Sequence, residues 1–136
     1  MGRTCQTLTL DEIVEINRRM IDKFGGVFFL GDRNLASPGS LEHVLEEIEG
    51  SLFGQEIHPT IIEKSAAIGW RIIIAGHIFH DGNKRTGMEA CRLFLDLNGY
   101  TMKIDREVVD VALKIATSAM QFPEFVHWLE QRTTQR

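Results

Sequence analysis

The stretch His77-Ile-Phe-His-Asp-Gly-Asn-Lys-Arg-Thr-Gly87 lies between two long segments in which apolar residues recur at helical spacing. The earlier segment begins at Thr60, which forms a capping-box pattern with Glu63, and it predicts a helix that runs to about Ile78. The run Ile72-Ile73-Ile74 is also compatible with a buried strand. No turn signal separates it from Thr60, which favours a central, buried helix.

The rest of the chain carries regular helix signals and few strand signals. After the break at residues 81–83, helical spacing resumes and ends at Asn98-Gly99. Four further helices are indicated by a capping box at Thr9 and Glu12 before a stop at Gly25-Gly26, a cap at Ser40 before Glu49-Gly50, a cap at Asp105, and Pro123 in a first turn. Residues 51–57 fit either an extended flap or another helical turn.

These signals predict an all-α fold of about six helices in one compact domain, residues 1–136. We expect residues 1–8 to be a flexible N-terminus and residues 132–136 a flexible tail. The net charge of -4 comes from interspersed acids and bases, so we expect no nucleic-acid and no membrane partner. Two cysteines make no disulfide framework, and no secretory or membrane-spanning run is visible, which together favour a cytoplasmic protein.

The chemistry of the chain is concentrated at the junction around residue 82. The first turn of a helix presents unpaired backbone N–H groups and partial positive charge, and Lys84 and Arg85 add two full charges. Phosphate is the natural occupant of such a site. Gly82 lets the backbone approach a ligand closely, and the Asn83 amide can donate a hydrogen bond without adding charge.

Two further residues complete a set suited to phosphoryl or nucleotidyl transfer. Asp81 is a hard oxygen ligand for Mg²⁺, which prefers one or two carboxylates together with phosphate oxygens and water. His77 can accept a proton near neutral pH and is the candidate catalytic base. In such transfers catalysis is mostly positioning and charge stabilisation.

The pattern HxFxDGNKRT at residues 77–86 resembles the signature of the Fic/Doc family, and most closely its Doc (death-on-curing) toxin branch. The resemblance covers roughly residues 9–131. It includes Phe24-Gly25-Gly26, Phe53-Gly54 before His58-Pro59, the helix that contains Lys64, and Phe94-Leu95 leading to Asn98-Gly99. It implies that His77 deprotonates a target hydroxyl, Phe79 anchors the loop, Asp81 holds Mg²⁺, and Gly82, Asn83, Lys84 and Arg85 bind the nucleotide phosphates.

The reaction implied by the resemblance depends on two positions. The AMP-transferring Fic pattern has glycine where this chain has Lys84 and a second arginine where it has Met88, and both departures are shared with Doc. Doc proteins bind the nucleotide in a reversed orientation and transfer its terminal phosphate, with elongation factor Tu as a target. The resemblance therefore implies a protein kinase toxin that uses ATP or another nucleoside triphosphate; Fic-type AMP transfer is the alternative.

The resemblance also bears on partners. Fic-type proteins are often silenced by a helix with a Ser/Thr-xxx-Glu-Gly/Asn motif, and this chain has none, because its Glu49-Gly50 follows Leu45 rather than Ser or Thr. We therefore expect a separate antitoxin protein. A catalytically silent binding protein with the same fold is a further alternative, which the presence of both His77 and Arg85 disfavours.

Other interpretations of the same residues are weaker. Arg85 and Glu89 fit a surface ion pair, and Asp81-Gly82-Asn83 fits a plain turn with a helix cap. His77, His80 and Asp81 could instead ligate a transition metal, but that site needs a further histidine and a distal aspartate for which there is no pattern. A phosphate-binding P-loop is excluded by the glycine spacing and the preceding helix. His43, His58 and His127 receive no role.

Overall fold

The computed structural model describes residues 6–37, 39–49, 51–52, 55–56 and 60–136. Six α-helices account for most of the described chain, which confirms the all-α prediction. Their bounds are α1 Leu10–Phe24, α2 Ser40–Glu49, α3 Ile61–Ala75, α4 Asn83–Leu97, α5 Glu107–Ala116 and α6 Phe122–Arg132. A single 3-10 turn, Leu30–Asp32, interrupts the connection between α1 and α2. None of the described helices is long and apolar enough to cross a lipid bilayer.

Helix α3 is central and buried, as the sequence predicts. The buried residues Ala66, Ile72 and Ile73 lie on different sides of it, and α4 packs along it. The two helices approach most closely at Gly69 and Gly87. A Cβ atom added to Gly87 would lie 2.6 Å from Ile73 Cγ1 and 2.9 Å from the Gly69 carbonyl oxygen, so only glycine allows this contact. Two apolar clusters flank the pair of helices α3 and α4. One cluster includes residues of α1 and α2, and the other includes residues of α5 and α6.

The helix starts follow the capping signals closely. Thr9 and Glu12 exchange the two hydrogen bonds of a capping box, and the Thr60 hydroxyl accepts the N–H of Glu63 at 3.0 Å. Asp105 accepts the N–H of Glu107 at 3.1 Å but lies one residue before the helix cap itself. Local side-chain chemistry therefore predicts these starts to within one residue.

The end of α3 differs from the prediction. The helix ends at Ala75 rather than near Ile78, because Gly76 adopts a left-handed conformation with φ of 70°. Residues 76–78 therefore belong to the loop. His77 lies outside the helix, and its side chain is exposed.

Two short antiparallel sheets complete the described part of the fold. Strand β1, Ser51–Leu52, pairs with β2, Gln55–Glu56, which agrees with the extended alternative for this stretch; Phe53, Gly54, His58 and Pro59 lie outside the described residues. Strand β3, Tyr100–Met102, pairs with β4, Thr133–Gln135. The predicted flexible tail is thus paired in this structure, and the Arg136 guanidinium donates to Asp96 and to the Tyr100 carbonyl.

The N-terminal segment is also partly ordered by contacts. Leu8 is buried in the core beside α1, and Gln6 exchanges hydrogen bonds with the side chain of Asn98. The predicted flexibility of residues 1–5 concerns residues outside the described part of the chain.

Candidate active site

The loop between α3 and α4 is bounded by two glycines in left-handed conformations. Gly76 ends α3 with φ of 70°, and Gly82 caps α4 with φ of 79°. A side chain at Gly82 would also meet its surroundings, because a Cβ there would lie 3.0 Å from Asn17 Nδ2. Phe79 is 1% exposed and forms an isolated β-bridge with Leu35, so it anchors the middle of the loop. This position agrees with the anchoring role that the sequence assigns to Phe79.

The side chain of Asn83 holds the loop from within. Its Oδ1 accepts the N–H of Phe79 at 2.9 Å, and its Nδ2 donates to the carbonyls of Phe79, at 2.9 Å, and Gly76, at 3.1 Å. The sequence assigns this amide to a bound phosphate. In the structure this side-chain amide binds backbone instead, while the backbone N–H of Asn83 lies in the first turn of α4, before the first intrahelical hydrogen bond.

A buried polar network lies beneath the loop, and the sequence reasoning did not identify it. Asn17 Nδ2 donates to the Asp81 carbonyl at 2.8 Å and to Thr86 Oγ1 at 3.0 Å, while its Oδ1 accepts from Asn34 Nδ2 at 2.9 Å. Asn17, Asn34 and Thr86 are all fully buried. Since buried amides are costly unless paired, this network fixes the loop against α1 and α4.

A signal for this network was present in the sequence. Asn17 lies four residues after Ile13 and four before Ile21, on the apolar stripe of α1. A polar residue in the middle of a buried stripe indicates a specific partner.

Asp81 presents its carboxylate beside the first turn of α4. Its Oδ1 accepts the N–H of Gly82 at 2.8 Å, and its Oδ2 accepts the N–H of Val27 at 3.0 Å. Each oxygen keeps a further lone pair, so the carboxylate fits a single protein ligand for Mg²⁺. Within the described residues no group of three or more His, Cys, Asp or Glu side chains could hold a metal ion. An ion at Asp81 would therefore take its other ligands from water and from the oxygens of a bound phosphate.

The orientation of His77 leaves one ring nitrogen available. Nδ1 forms a short hydrogen bond with the carbonyl of Ala75, and because a carbonyl can only accept, Nδ1 must carry the proton. In the neutral ring Nε2 is then the basic atom. The exposed side chain makes this nitrogen accessible to an incoming hydroxyl group.

Lys84 and Arg85 are both exposed on the first turn of α4. The Arg85 guanidinium carbon lies 4.4 Å from the centroid of the Phe24 ring, which forms a cation–π contact. The alternative ion pair between Arg85 and Glu89 does not describe this structure, since Glu89 is engaged by Arg92 with an N–O distance of 3.0 Å.

His80 belongs to the outer side of the loop. Its ring atom Nε2 lies 2.8 Å from Asp32 Oδ2, and its ring contacts the Phe29 ring edge-on. Its backbone N–H donates to the Asn34 carbonyl. The hydrogen bond from His80 lowers the pKa of Asp32 below its ordinary value. His80 and Asp81 thus bind different partners, so the geometry does not support a transition-metal site that includes both.

An open groove of about 400 Å³ is lined in part by His77. It runs between the N-terminus of α2 and the C-terminus of α3, and an ion pair between Arg71 and Glu47 stands beside it. The residues that line it are Gly39, Ser40, His43, Val44, Arg71, Ala75, His77 and Ile78. His77 therefore lines this groove and belongs to the loop that leads into the cationic first turn of α4. The groove also gives a location to His43, for which the sequence predicts no role.

Comparison with known proteins agrees with the resemblance seen in the sequence. The model of the Fic/DOC family matches residues 7–95. A protein kinase doc from Escherichia phage P1 is 30% identical over 108 residues, which cover 79% of this chain and 79% of that protein. A toxin Doc from Mycolicibacterium smegmatis is 27% identical over 93 residues, which cover 68% of this chain and 71% of that protein.

Proposed function

The chain belongs to the Fic/Doc family, and we propose that it is a Doc-like toxin that transfers the terminal phosphate of a nucleoside triphosphate, such as ATP, to a hydroxyl group of a target protein. The observation that carries the proposal is the junction of α3 and α4. There the accessible ring nitrogen of His77, the carboxylate of Asp81 and the cationic first turn of α4 belong to one loop that is held from two sides.

The first turn of α4 is the proposed phosphate site. The first intrahelical hydrogen bond joins Thr86 N–H to the Gly82 carbonyl at 2.9 Å, so the N–H groups of residues 83–85 precede the helical ladder. These N–H groups and the helix dipole favour an anion, and Lys84 and Arg85 add charge at the same place. Asp81 would hold Mg²⁺, which when bound neutralises phosphate charge during the transfer.

His77 would act as the general base. Its Nε2 takes the proton of the acceptor hydroxyl as the oxygen of that hydroxyl bonds to the terminal phosphorus. The bond between that phosphorus and the bridging oxygen breaks, and a nucleoside diphosphate leaves. The hydrogen bond from Nδ1 to Ala75 fixes the ring in the tautomer that this step requires.

Two residues and the name of one relative favour phosphate transfer over AMP transfer. Met88 replaces the second arginine of the AMP-transferring pattern and is 5% exposed, packed in the core rather than turned to the phosphate site. Lys84 replaces a glycine and places a long cationic side chain on the first turn of α4, which alters the space available to the distal phosphates. The relative from Escherichia phage P1 is itself named a protein kinase.

The acceptor would approach through the groove beside His77. An in-line displacement requires the attacking oxygen and the leaving oxygen on opposite sides of the phosphorus. With the triphosphate on α4 and His77 as the base, the acceptor hydroxyl must come within hydrogen-bond reach of His77 Nε2. His77 lines the groove between α2 and α3, and this groove has room for a side chain together with part of its backbone.

The proposal includes two protein partners. The first is the target, for which elongation factor Tu is the candidate implied by the resemblance. The second is a separate antitoxin, because this sequence lacks the inhibitory glutamate motif and two of its relatives are a Doc kinase and a Doc toxin.

The test is to incubate the purified chain with Mg²⁺, ATP and elongation factor Tu and to weigh the target by intact mass spectrometry. We expect a gain of about 80 Da, one phosphate, with the wild-type chain. The His77→Ala variant should give no gain, and His127→Ala, which changes an exposed histidine on α6, should behave as wild type. A parallel measurement records growth arrest on expression, which His77→Ala should relieve.

The other outcomes separate the alternatives. A gain of one nucleoside monophosphate would show Fic-type AMP transfer. Growth arrest without modification of elongation factor Tu would leave the reaction class standing and reject that target. If the chain binds no Mg-ATP, modifies no target and causes no growth arrest, the silent binding protein is favoured.

A further inference from the structure

We infer that Phe24 is a positioning residue of the phosphate site, which orients Arg85 towards the nucleotide phosphates. The inference rests on the proposed function and adds a residue of α1 to a site otherwise formed by the loop and α4. It starts from the contact in which the Arg85 guanidinium lies 4.4 Å from the Phe24 ring centroid.

The chemistry of this contact suits a phosphate site. A guanidinium that lies over an aromatic face uses its own face for the contact and keeps the N–H donors on its edge for an anion. An ion pair with a carboxylate would occupy those donors. The nearest candidate on the same helix, Glu89, is bound by Arg92 instead. The aromatic support therefore restricts the Arg85 side chain without reducing its capacity to bind phosphate.

The position of Phe24 is fixed relative to the loop by its neighbours. Phe24 is the last residue of α1, and the next residue, Gly25, closes the helix with a 2.7 Å hydrogen bond to the Ile21 carbonyl. Val27, two residues further on, donates its N–H to the Asp81 carboxylate at 3.0 Å. The end of α1 contacts Arg85, and the segment that follows it contacts the candidate metal carboxylate.

The exposure of Phe24 supports the same conclusion. The residue is 48% exposed, so packing in the core does not account for its aromatic ring. Lys23 Nζ also lies 5.3 Å from the ring centroid, so two cations contact the Phe24 ring. The ring therefore holds positive charge near the first turn of α4, where the phosphates would bind.

The test measures the affinity of the full chain for Mg-ATP and for tripolyphosphate by titration calorimetry. We expect Phe24→Leu to weaken both about two- to fivefold, the range of an exposed cation–π contact. Phe24→Tyr, which keeps the aromatic face, should restore wild-type affinity. Leu30→Ala is the matched control, because Leu30 is an exposed apolar residue on the following turn, 82% exposed. Thermal melts identify any variant whose fold has changed.

A double-mutant cycle shows whether the effect passes through the arginine. In the presence of Phe24→Leu, the change Arg85→Lys should weaken tripolyphosphate binding by a smaller factor than it does in the wild type. Equal factors in the two backgrounds would overturn the inference. So would a Phe24→Leu variant that binds Mg-ATP more weakly and tripolyphosphate normally, because Phe24 would then contact the nucleoside. If the wild type binds neither probe, the proposed function itself falls, and the inference with it.

Discussion

Replacement of Asn17 by leucine tests whether the buried amide network holds the active-site loop. Both side chains branch at Cγ and leucine is the larger, so the change removes hydrogen bonds without leaving a cavity. Asn34 Nδ2 loses its acceptor, and Thr86 Oγ1 and the Asp81 carbonyl both lose their donor. Because Asn17 and Asn34 are fully buried, water cannot replace the lost partners.

The expected loss of stability can be worked from these three contacts. The buried donor of Asn34 costs about 1–3 kcal/mol when it is left unpaired. The Asp81 carbonyl, on a half-buried loop, and the rotatable Thr86 hydroxyl each cost less, while the apolar leucine side chain returns about 1 kcal/mol. We expect Asn17→Leu to lower the free energy of unfolding by about 2–4 kcal/mol. For a chain of this length that corresponds to a decrease in Tm of roughly 6–16 °C.

The assay is urea denaturation followed by circular dichroism, with Arg19→Leu on the exposed face of α1 as the control. The control should stay within about 0.5 kcal/mol of the wild type. Asn34→Gly removes the partner amide and tolerates the φ of 61° found at that position, so it allows a double-mutant cycle. A loss below about 1 kcal/mol for Asn17→Leu, or additive effects of the two changes, would refute the network as the support of the loop.

Three further predictions concern single residues. Gly82→Ala should lower the free energy of unfolding by about 1–2 kcal/mol in urea titrations, because φ is 79° and the new Cβ would lie 3.0 Å from a buried amide. Ser40→Trp should fill the groove beside His77, abolish target modification and growth arrest, and leave Mg-ATP affinity within about twofold; weaker nucleotide binding would contradict the separation of the two sites. Burial raises the pKa of Cys91 to about 12, so its thiol stays neutral at pH 8 and native Cys91 should resist maleimide until the chain is unfolded, as peptide mass spectrometry can check.

The helices could be predicted from the sequence because their signals are local. Thr9 and Thr60 bond to residues three positions away, so their capping patterns are visible in a short window. The early end of α3 was missed for the opposite reason. Gly76 is one of several glycines near the loop, and its carbonyl is bound by Asn83, seven residues later. A local pattern does not reveal which glycine is stabilised by such a distant contact.

The same distinction separates the predicted and missed parts of the candidate site. The residues from His77 to Arg85 could be identified because they lie together in the chain and their chemistry is distinctive. The pairing of β3 with β4 joins residues more than thirty positions apart, and the strands are too short to show alternation. Asn17 and Phe24 belong to α1, and only the packing of α1 against α4 brings them to the loop.

The support of the loop by neutral amides follows from the charge that the site would bind. The Asn17 and Asn83 amides satisfy backbone groups of Gly76, Phe79 and Asp81, the Asn34 amide donates to Asn17, and none of the three adds net charge. Carboxylates could accept the same N–H groups, but they would oppose the positive potential that Lys84, Arg85 and the helix dipole create for phosphate. Amides can also donate to carbonyls, which carboxylates at neutral pH cannot. The loop is thus held rigidly while the field at the first turn of α4 stays positive, as a site that acts mainly by positioning and electrostatic stabilisation requires.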